Sequence, residues 1–315
     1  KTAALPDQSL AAEADTVTVS TNFYSASLSN LGGGTVVSWE LKNYYKGEKA
    51  NKELVDLVPD KAGGNLGIRL GQGKSLKSVP FTLVTNKTSV RQGKEGHRLV
   101  YRYTMDNGGI IEKEYEFVDG RYDVRLTVRF RNMPENIASQ GYLLDWRSGI
   151  SPTERRVSDD ERYLESFALQ GGELLKTKDE PTGFRPGETD WVAVRNKYFL
   201  MAIMPVEKAG DGAELAGEEV QIIDENNEQT KWRIMSASIF METDTPAGEV
   251  GTFNVYLGPM DYQEVAGYDA ELDRLMNFGW APLRPIGIGF YYVLQFLQGL
   301  FRSEERRVGK ECVSE

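Results

Sequence analysis

Histidine and cysteine are almost missing from this chain of 315 residues: His97 and Cys312 are the sole examples of each. A lone cysteine excludes an intrachain disulfide framework and leaves the redox compartment open. One imidazole removes Ser-His-Asp and Cys-His chemistry unless His97 itself serves. Its setting, Gly93-Lys94-Glu95-Gly96-His97, is polar and turn-like, with no base-orienting carboxylate pattern and no second metal ligand nearby, and reads as a solvated loop. Positive charge is also short. With 37 Lys and Arg against 47 Asp and Glu, the formal net charge is −10, and no Lys/Arg stripe is visible, which argues against a nucleic-acid partner.

Site motifs are lacking too. Gly32-Gly33-Gly34 and Gly63-Gly64 have neither the Lys-Ser/Thr of a phosphate loop nor the spaced third glycine of a dinucleotide fold, and read as turn glycines. The acid pairs Asp159-Asp160 and Glu218-Glu219 lie in polar, turn-like stretches that suit a solvated surface better than a general acid and base. No Cys or His cluster has metal-ligand spacing. The expectation is a protein that is not an enzyme and holds no cofactor or metal.

What is present is a β grammar. With 40% hydrophobic and 27% charged residues the composition is that of a soluble globular protein, long enough for one large core or two modest ones. Residues 1–15, rich in Ala and polar groups, read as a linker from something upstream. Residues 16–260 follow as short alternating runs of Val, Ile, Thr, Tyr and Phe separated by Gly, Asp, Asn and Pro. In residues 110–117, Glu112, Glu114 and Glu116 alternate with Ile111, Lys113 and Tyr115, and Asp106-Asn107-Gly108-Gly109 before them is a hairpin turn signal. Tyr122, Val124, Leu126, Val128 and Phe130 share one face of a half-buried strand, whereas residues 198–204 are apolar throughout, as in a strand covered on both faces. The acidic, Gly-rich residues 207–219 read as a solvated loop. The expected fold is mainly β, a sandwich of large antiparallel sheets.

Near Pro259 the pattern changes. Val265, Tyr268, Leu272, Leu275 and Met276 recur at three- and four-residue spacings, predicting an amphipathic helix over residues 262–277 within a helical junction, residues 261–281. Residues 282–301 form a second amphipathic segment: after Pro285 roughly sixteen residues carry no charge, too few to cross a bilayer core. Ile286, Phe290, Leu294, Leu297 and Phe301 lie on its broad apolar face. Two readings fit, a helix lying in the membrane interface and a C-terminal core helix, and the aromatic trio Phe290, Tyr291 and Tyr292 tilts toward the interface.

Four strings, in order along nearly the whole chain, resemble the periplasmic domain of YidC-type membrane protein insertases. They are Thr21-Asn22-Phe23-Tyr24 through Leu41-Lys42-Asn43-Tyr44; Trp191-Val192-Ala193 before Lys197-Tyr198-Phe199; Tyr256-Leu257-Gly258-Pro259-Met260-Asp261-Tyr262, with Met260 where Lys is usual; and Asn277-Phe278-Gly279-Trp280 followed by Pro285. The resemblance implies a β-supersandwich of the galactose-mutarotase-like kind followed by short C-terminal helices. It also implies a place at the bacterial inner membrane on the periplasmic side, and help with insertion, folding and assembly of nascent inner-membrane proteins, alone or with Sec translocon components such as SecDF. The inserting groove would lie in a transmembrane bundle beyond this chain. On this reading Phe278, Gly279, Trp280 and Pro285 form a hinge and the apolar face from Ile286 to Phe301 an anchor at the membrane surface. Residues 302–315 resemble the translation of a sequencing adapter and read as an artefact that truncates the chain. The alternative is a secreted carbohydrate-binding or mutarotase-like module in which Trp39, Trp146 and Trp191 line a sugar cleft, although such residues in strand-rich proteins are more often core.

Overall fold

A computed structural model describes residues 14–46, 53–59, 64–71, 73–91, 93–135, 139–154, 156–177, 183–223, 229–243, 249–268 and 270–276. The chain divides into two compact units, residues 1–260 and 261–315.

The first unit is built from strands β1 (Thr16–Ser20), β2 (Tyr24–Ser29), β3 (Thr35–Tyr45), β4 (Leu54–Asp56), β5 (Gly67–Leu70), β6 (Lys74–Ser75), β7 (Thr82–Arg91), β8 (Lys94–Thr104) and β9 (Ile110–Val118). They continue as β10 (Asp123–Arg131), β11 (Tyr142–Trp146), β12 (Glu165–Gln170), β13 (Glu173–Thr177), β14 (Gly183–Arg195), β15 (Phe199–Pro205), β16 (Gly210–Ile223), β17 (Gln229–Met241) and β18 (Glu249–Pro259), with helix α1 (Val157–Glu161) before β12. Strands β1-β2-β3-β4 form a small sheet. The other fourteen form a large one in the order β6-β5-β11-β17-β16-β14-β15-β18-β10-β9-β8-β7, with β12 joined to β14 and β13 to β12. The pairings are antiparallel. The mainly β expectation of large antiparallel sheets is borne out.

Alternation decides where each strand puts its side chains. On β10, Val124, Leu126, Val128 and Phe130 are buried while Arg125 and Arg129 are half-buried and Arg131 exposed. On β15 every residue from Phe199 to Met204 is buried, as the unbroken apolar run requires. Gly108, at φ +84°, turns the chain between β8 and β9, where Asn107 Oδ1 accepts from the Gly109 amide at 3.1 Å.

Three expectations fail locally. Residues 210–219 are not a loop but the start of β16, whose Ala213 and Leu215 are buried against β17. Small residues there admit bulky neighbours: a Cβ on Gly210 would come within 2.6 Å of Ile239, and one on Gly212 within 2.6 Å of the Phe184 ring. Packing overrides propensity. His97 is not in a loop but within β8, opposite Thr88 of β7. Asp160 is not solvated: it is fully buried in α1, and its Oδ2 accepts from the Thr153 amide (2.6 Å), the Thr153 hydroxyl (2.9 Å) and the Glu154 amide (2.9 Å).

The second unit is described as far as residue 276. It holds α2 (Tyr262–Ala266), capped by Asp261 accepting from the Gln263 amide at 2.9 Å, and a 3-10 turn at Leu272–Leu275. The single helix expected over residues 262–277 is therefore interrupted, because Gly267 ends α2 and Glu271 takes a left-handed φ of +53°. The positions read as apolar are nonetheless inside, with Val265, Leu272 and Leu275 buried.

Candidate functional site

Polar side chains gather in two clefts and one buried junction of the first unit. The first cleft, about 560 Å³, is lined by Arg69, Lys77, Asp145, Arg147, Glu218 and Ser236 among others. Its floor is ionic: Asp145 accepts from Arg69 Nε at 3.0 Å and Nη2 at 2.9 Å, and Glu214 accepts from Nη1 at 3.1 Å. Burial disfavours the Arg69 charge, but bonds to both carboxylates outweigh it and raise its pKa. No aromatic side chain is among the described residues lining this cleft, so a stacking platform for a sugar ring is missing there.

The second cleft, also about 560 Å³, is lined by Ser20, Thr21, Thr88, Glu95, His97 and Asp119 among others. His97 Nε2 lies 2.5 Å from Asn86 Oδ1, so its ring is oriented by an amide rather than a carboxylate. Among the described residues no group of three His, Cys, Asp or Glu could hold a metal ion. Glu219 of the second acid pair is exposed and bonds Lys231 at 2.7 Å, while Glu218 reaches the rim of the first cleft.

The junction lies where the turn between β2 and β3 meets β9. Lys113 is fully buried and donates to the carbonyls of Gly32 (3.2 Å) and Leu66 (2.5 Å), and the Tyr115 hydroxyl donates to Gly34 O at 2.6 Å. The opposite face of β9 is ionic, with Glu114 accepting from Arg98 (2.6 Å) and Arg129 (2.5 Å).

Trp39, Trp146 and Trp191 are fully buried and line neither cleft. They are core residues: Trp39 stacks on Tyr24 with ring centroids 4.0 Å apart, and Trp146 Nε1 donates to Gly149 O at 2.7 Å. The support for a tryptophan-lined sugar cleft is thereby withdrawn.

Phe278, Gly279, Trp280, Pro285, Ile286, Phe290, Leu294, Leu297 and Phe301 lie outside the described residues, as do the linker up to residue 13 and residues 302–315. Among the described residues no helix is long and apolar enough to cross a membrane. The string just before them is accounted for: the Tyr256 hydroxyl donates to Pro259 O at 2.6 Å, and a Cβ on Gly258 would stand 2.8 Å from the Tyr122 side chain. In the Trp191 string, Asn196 Oδ1 accepts from the amides of Tyr198 (3.0 Å) and Phe199 (2.8 Å), shaping the turn from β14 to β15.

These strings sit where they build strand ends and turns across the first unit, and a family model described as the YidC periplasmic domain matches residues 16–286. The chain belongs to that family. It is 30% identical over 261 residues to the membrane protein insertase YidC of Chlorobium luteolum, covering 79% of this chain and 42% of the relative. It is 29% identical over 276 residues to that of Chlorobaculum tepidum, covering 84% and 45%. The chain thus spans less than half the length of these relatives. YidC membership makes it the periplasmic portion of a membrane protein. Solved structures similar to it include a GalM/aldose epimerase homologue from C. elegans, with a TM-score of 0.46 and 9% identity over 79% of this chain and 100% of that one. Another is a putative aldose 1-epimerase from Escherichia coli K12, with a TM-score of 0.42 and 8% identity at the same coverage. Likeness at this level carries no argument about activity.

Sequence reasoning passed over the functional-looking chemistry of the clefts, because Arg69 meets partners 76 and 145 positions away. For Lys113 a signal was present: it falls in step with Ile111 and Tyr115, on the face that is buried.

Proposed function

We propose that this chain is the periplasmic domain through which a YidC insertase assists insertion, folding and assembly of nascent inner-membrane proteins, alone or beside Sec components such as SecDF. The match of residues 16–286 to the YidC periplasmic domain carries the reading. In support, the clefts combine charged and hydroxyl side chains without a base-oriented nucleophile, which suits contact with other chains better than catalysis. The proposed division is a linker (1–15), a β domain (16–260), a helical junction (261–281) and an interfacial helix (282–301). Phe278, Gly279, Trp280 and Pro285 act as the hinge, and Ile286, Phe290, Leu294, Leu297 and Phe301 rest on the bilayer surface, fixing the domain's height.

Flotation of the chain with liposomes tests the anchor. Wild type is expected to float and the double variant Trp280→Ala, Phe290→Asp to lose at least fivefold in bound fraction. Equal binding by both would remove the anchor from the proposal.

A further inference from the structure

The Lys113 ammonium has no carboxylate within ion-pair distance among the described residues, although the side chain is fully buried. An unpaired buried charge is costly, so the amine is driven toward its neutral form, and desolvation lowers its pKa to about 7. The hydrogen bonds agree with that state. A neutral amine has two N–H donors and an ammonium three, and two carbonyls, Gly32 O and Leu66 O, receive them. The Tyr115 ring, 5.4 Å from Nζ, is the other group beside the amine.

The two carbonyls belong to different segments. Gly32 is in the turn between β2 and β3 of the small sheet, and Leu66 precedes β5 of the large one. The turn is closely fitted to its seat: Gly32, Gly33 and Gly34 have φ of +70°, +77° and +79°. A Cβ on Gly33 would lie 2.8 Å from Phe81, and one on Gly34 2.7 Å from both the Tyr101 and Tyr115 rings. One amine therefore ties a small-sheet turn and a large-sheet loop to the same strand.

We propose that Lys113 is a proton-controlled latch, which as a neutral amine holds the β2–β3 turn and the Leu66 segment on β9 and on protonation loosens that hold. The other titratable groups facing the junction do not share its range. Tyr101 on β8 is pushed up to about 12 and Tyr115 on β9 further up, both chiefly by burial. The turn itself, Asn30 to Gly34, carries no titratable side chain. Lys77 is exposed beside Gly32, Asp15 acts on Tyr101 from just before β1, and Asp145, whose carbonyl accepts from the Leu66 amide, has its carboxylate committed to Arg69.

The sign follows from linkage. An opened Lys113 has its ordinary value, 10.5, and the closed one about 7. Between these limits opening takes up a proton, so closure strengthens roughly tenfold for each unit of rising pH; below about 7 both forms are charged and the dependence flattens. The test is hydrogen exchange of residues 29–36 in the full chain from pH 6 to 9, corrected for intrinsic chemical exchange, in wild type and Lys113→Met. The expected result is an opening equilibrium that falls roughly tenfold per unit above pH 7 in wild type and is flat in the variant. Equal slopes in both would overturn the latch. Should the variant fail to fold, the Lys113 Cε shift in ¹³C-lysine-labelled wild type decides alone: a midpoint near 7 supports the latch, and one in the ordinary lysine range refutes it.

Discussion

Strand β9 carries charge on both faces, and each face manages it differently. On one, Glu114 is shared by Arg98 and Arg129, and Glu112 by Arg102 at 3.3 Å and Arg131 at 3.9 Å, so a row of acids lies between two rows of arginines. On the other, Lys113 meets two carbonyls and an aromatic ring, and burial without a carboxylate partner among the described residues lowers its pKa to about 7. Water and partners within reach allow a β-strand to keep its ions. A sealed junction between two sheets does not. The same contrast explains why Arg98 and Arg102 on β8 and Arg129 and Arg131 on β10 would make a poor nucleic-acid stripe: the glutamates of β9 already occupy their guanidinium groups.

Substitutions can break this contrast in order of size. Lys113→Glu would aim a carboxylate at the carbonyl oxygens of Gly32 and Leu66, and is expected to cost about 4 kcal/mol or more. Lys113→Met fills similar volume without a charge and should stay within about 1 kcal/mol of wild type; equal losses for the two in denaturant unfolding would end the distinction between the faces. Next, Gly34→Ala combines a strained positive φ with a Cβ pressed on two rings, for about 3 kcal/mol by the same measurement.

On the ionic face the expected effects are smaller and, with the same sign, fall in a lower pH range. Burial raises the Glu114 carboxyl, but bonds from Arg98 and Arg129 outweigh it and hold the group below its ordinary 4.5. Its contribution is present above that value and lost as pH falls through the folded one. Glu114→Ala should cost about 2 kcal/mol at pH 7 and reduce the acid sensitivity seen in unfolding below pH 4.5. Glu112→Ala should cost less than about 1 kcal/mol, more weakly still in high salt, because Arg102 and Arg131 are 43% and 56% exposed.

How much of this was legible in the sequence depended on reach. Alternation alone placed Val124, Leu126 and Val128 inside and set Lys113 on the face opposite Glu112 and Glu114, because a strand's period needs no partner to be read. Glycine and acid runs misled where long-range pairing decides: Gly210 and Gly212 look like loop residues until Ile239 and Phe184 are seen to need their missing Cβ atoms. Asp160 looked solvated because the amides it caps belong to Thr153 and Glu154, on a segment that folds back under it. Neither cleft could be read, since each draws residues from several distant strands. The family strings were legible because they are contiguous.

The most direct measurement for the insertase reading places a photo-reactive amino acid at Phe184, Tyr198 or Ile223, all exposed positions of this domain, in a full-length YidC that carries it. The cells translate a stalled inner-membrane protein, and adducts are identified by the nascent chain they contain. The expected result is a nascent-chain or SecDF adduct from at least one position. Adducts from a probe in the membrane-embedded part of the same protein, with none from these three, would contradict a role for this domain in assisting insertion.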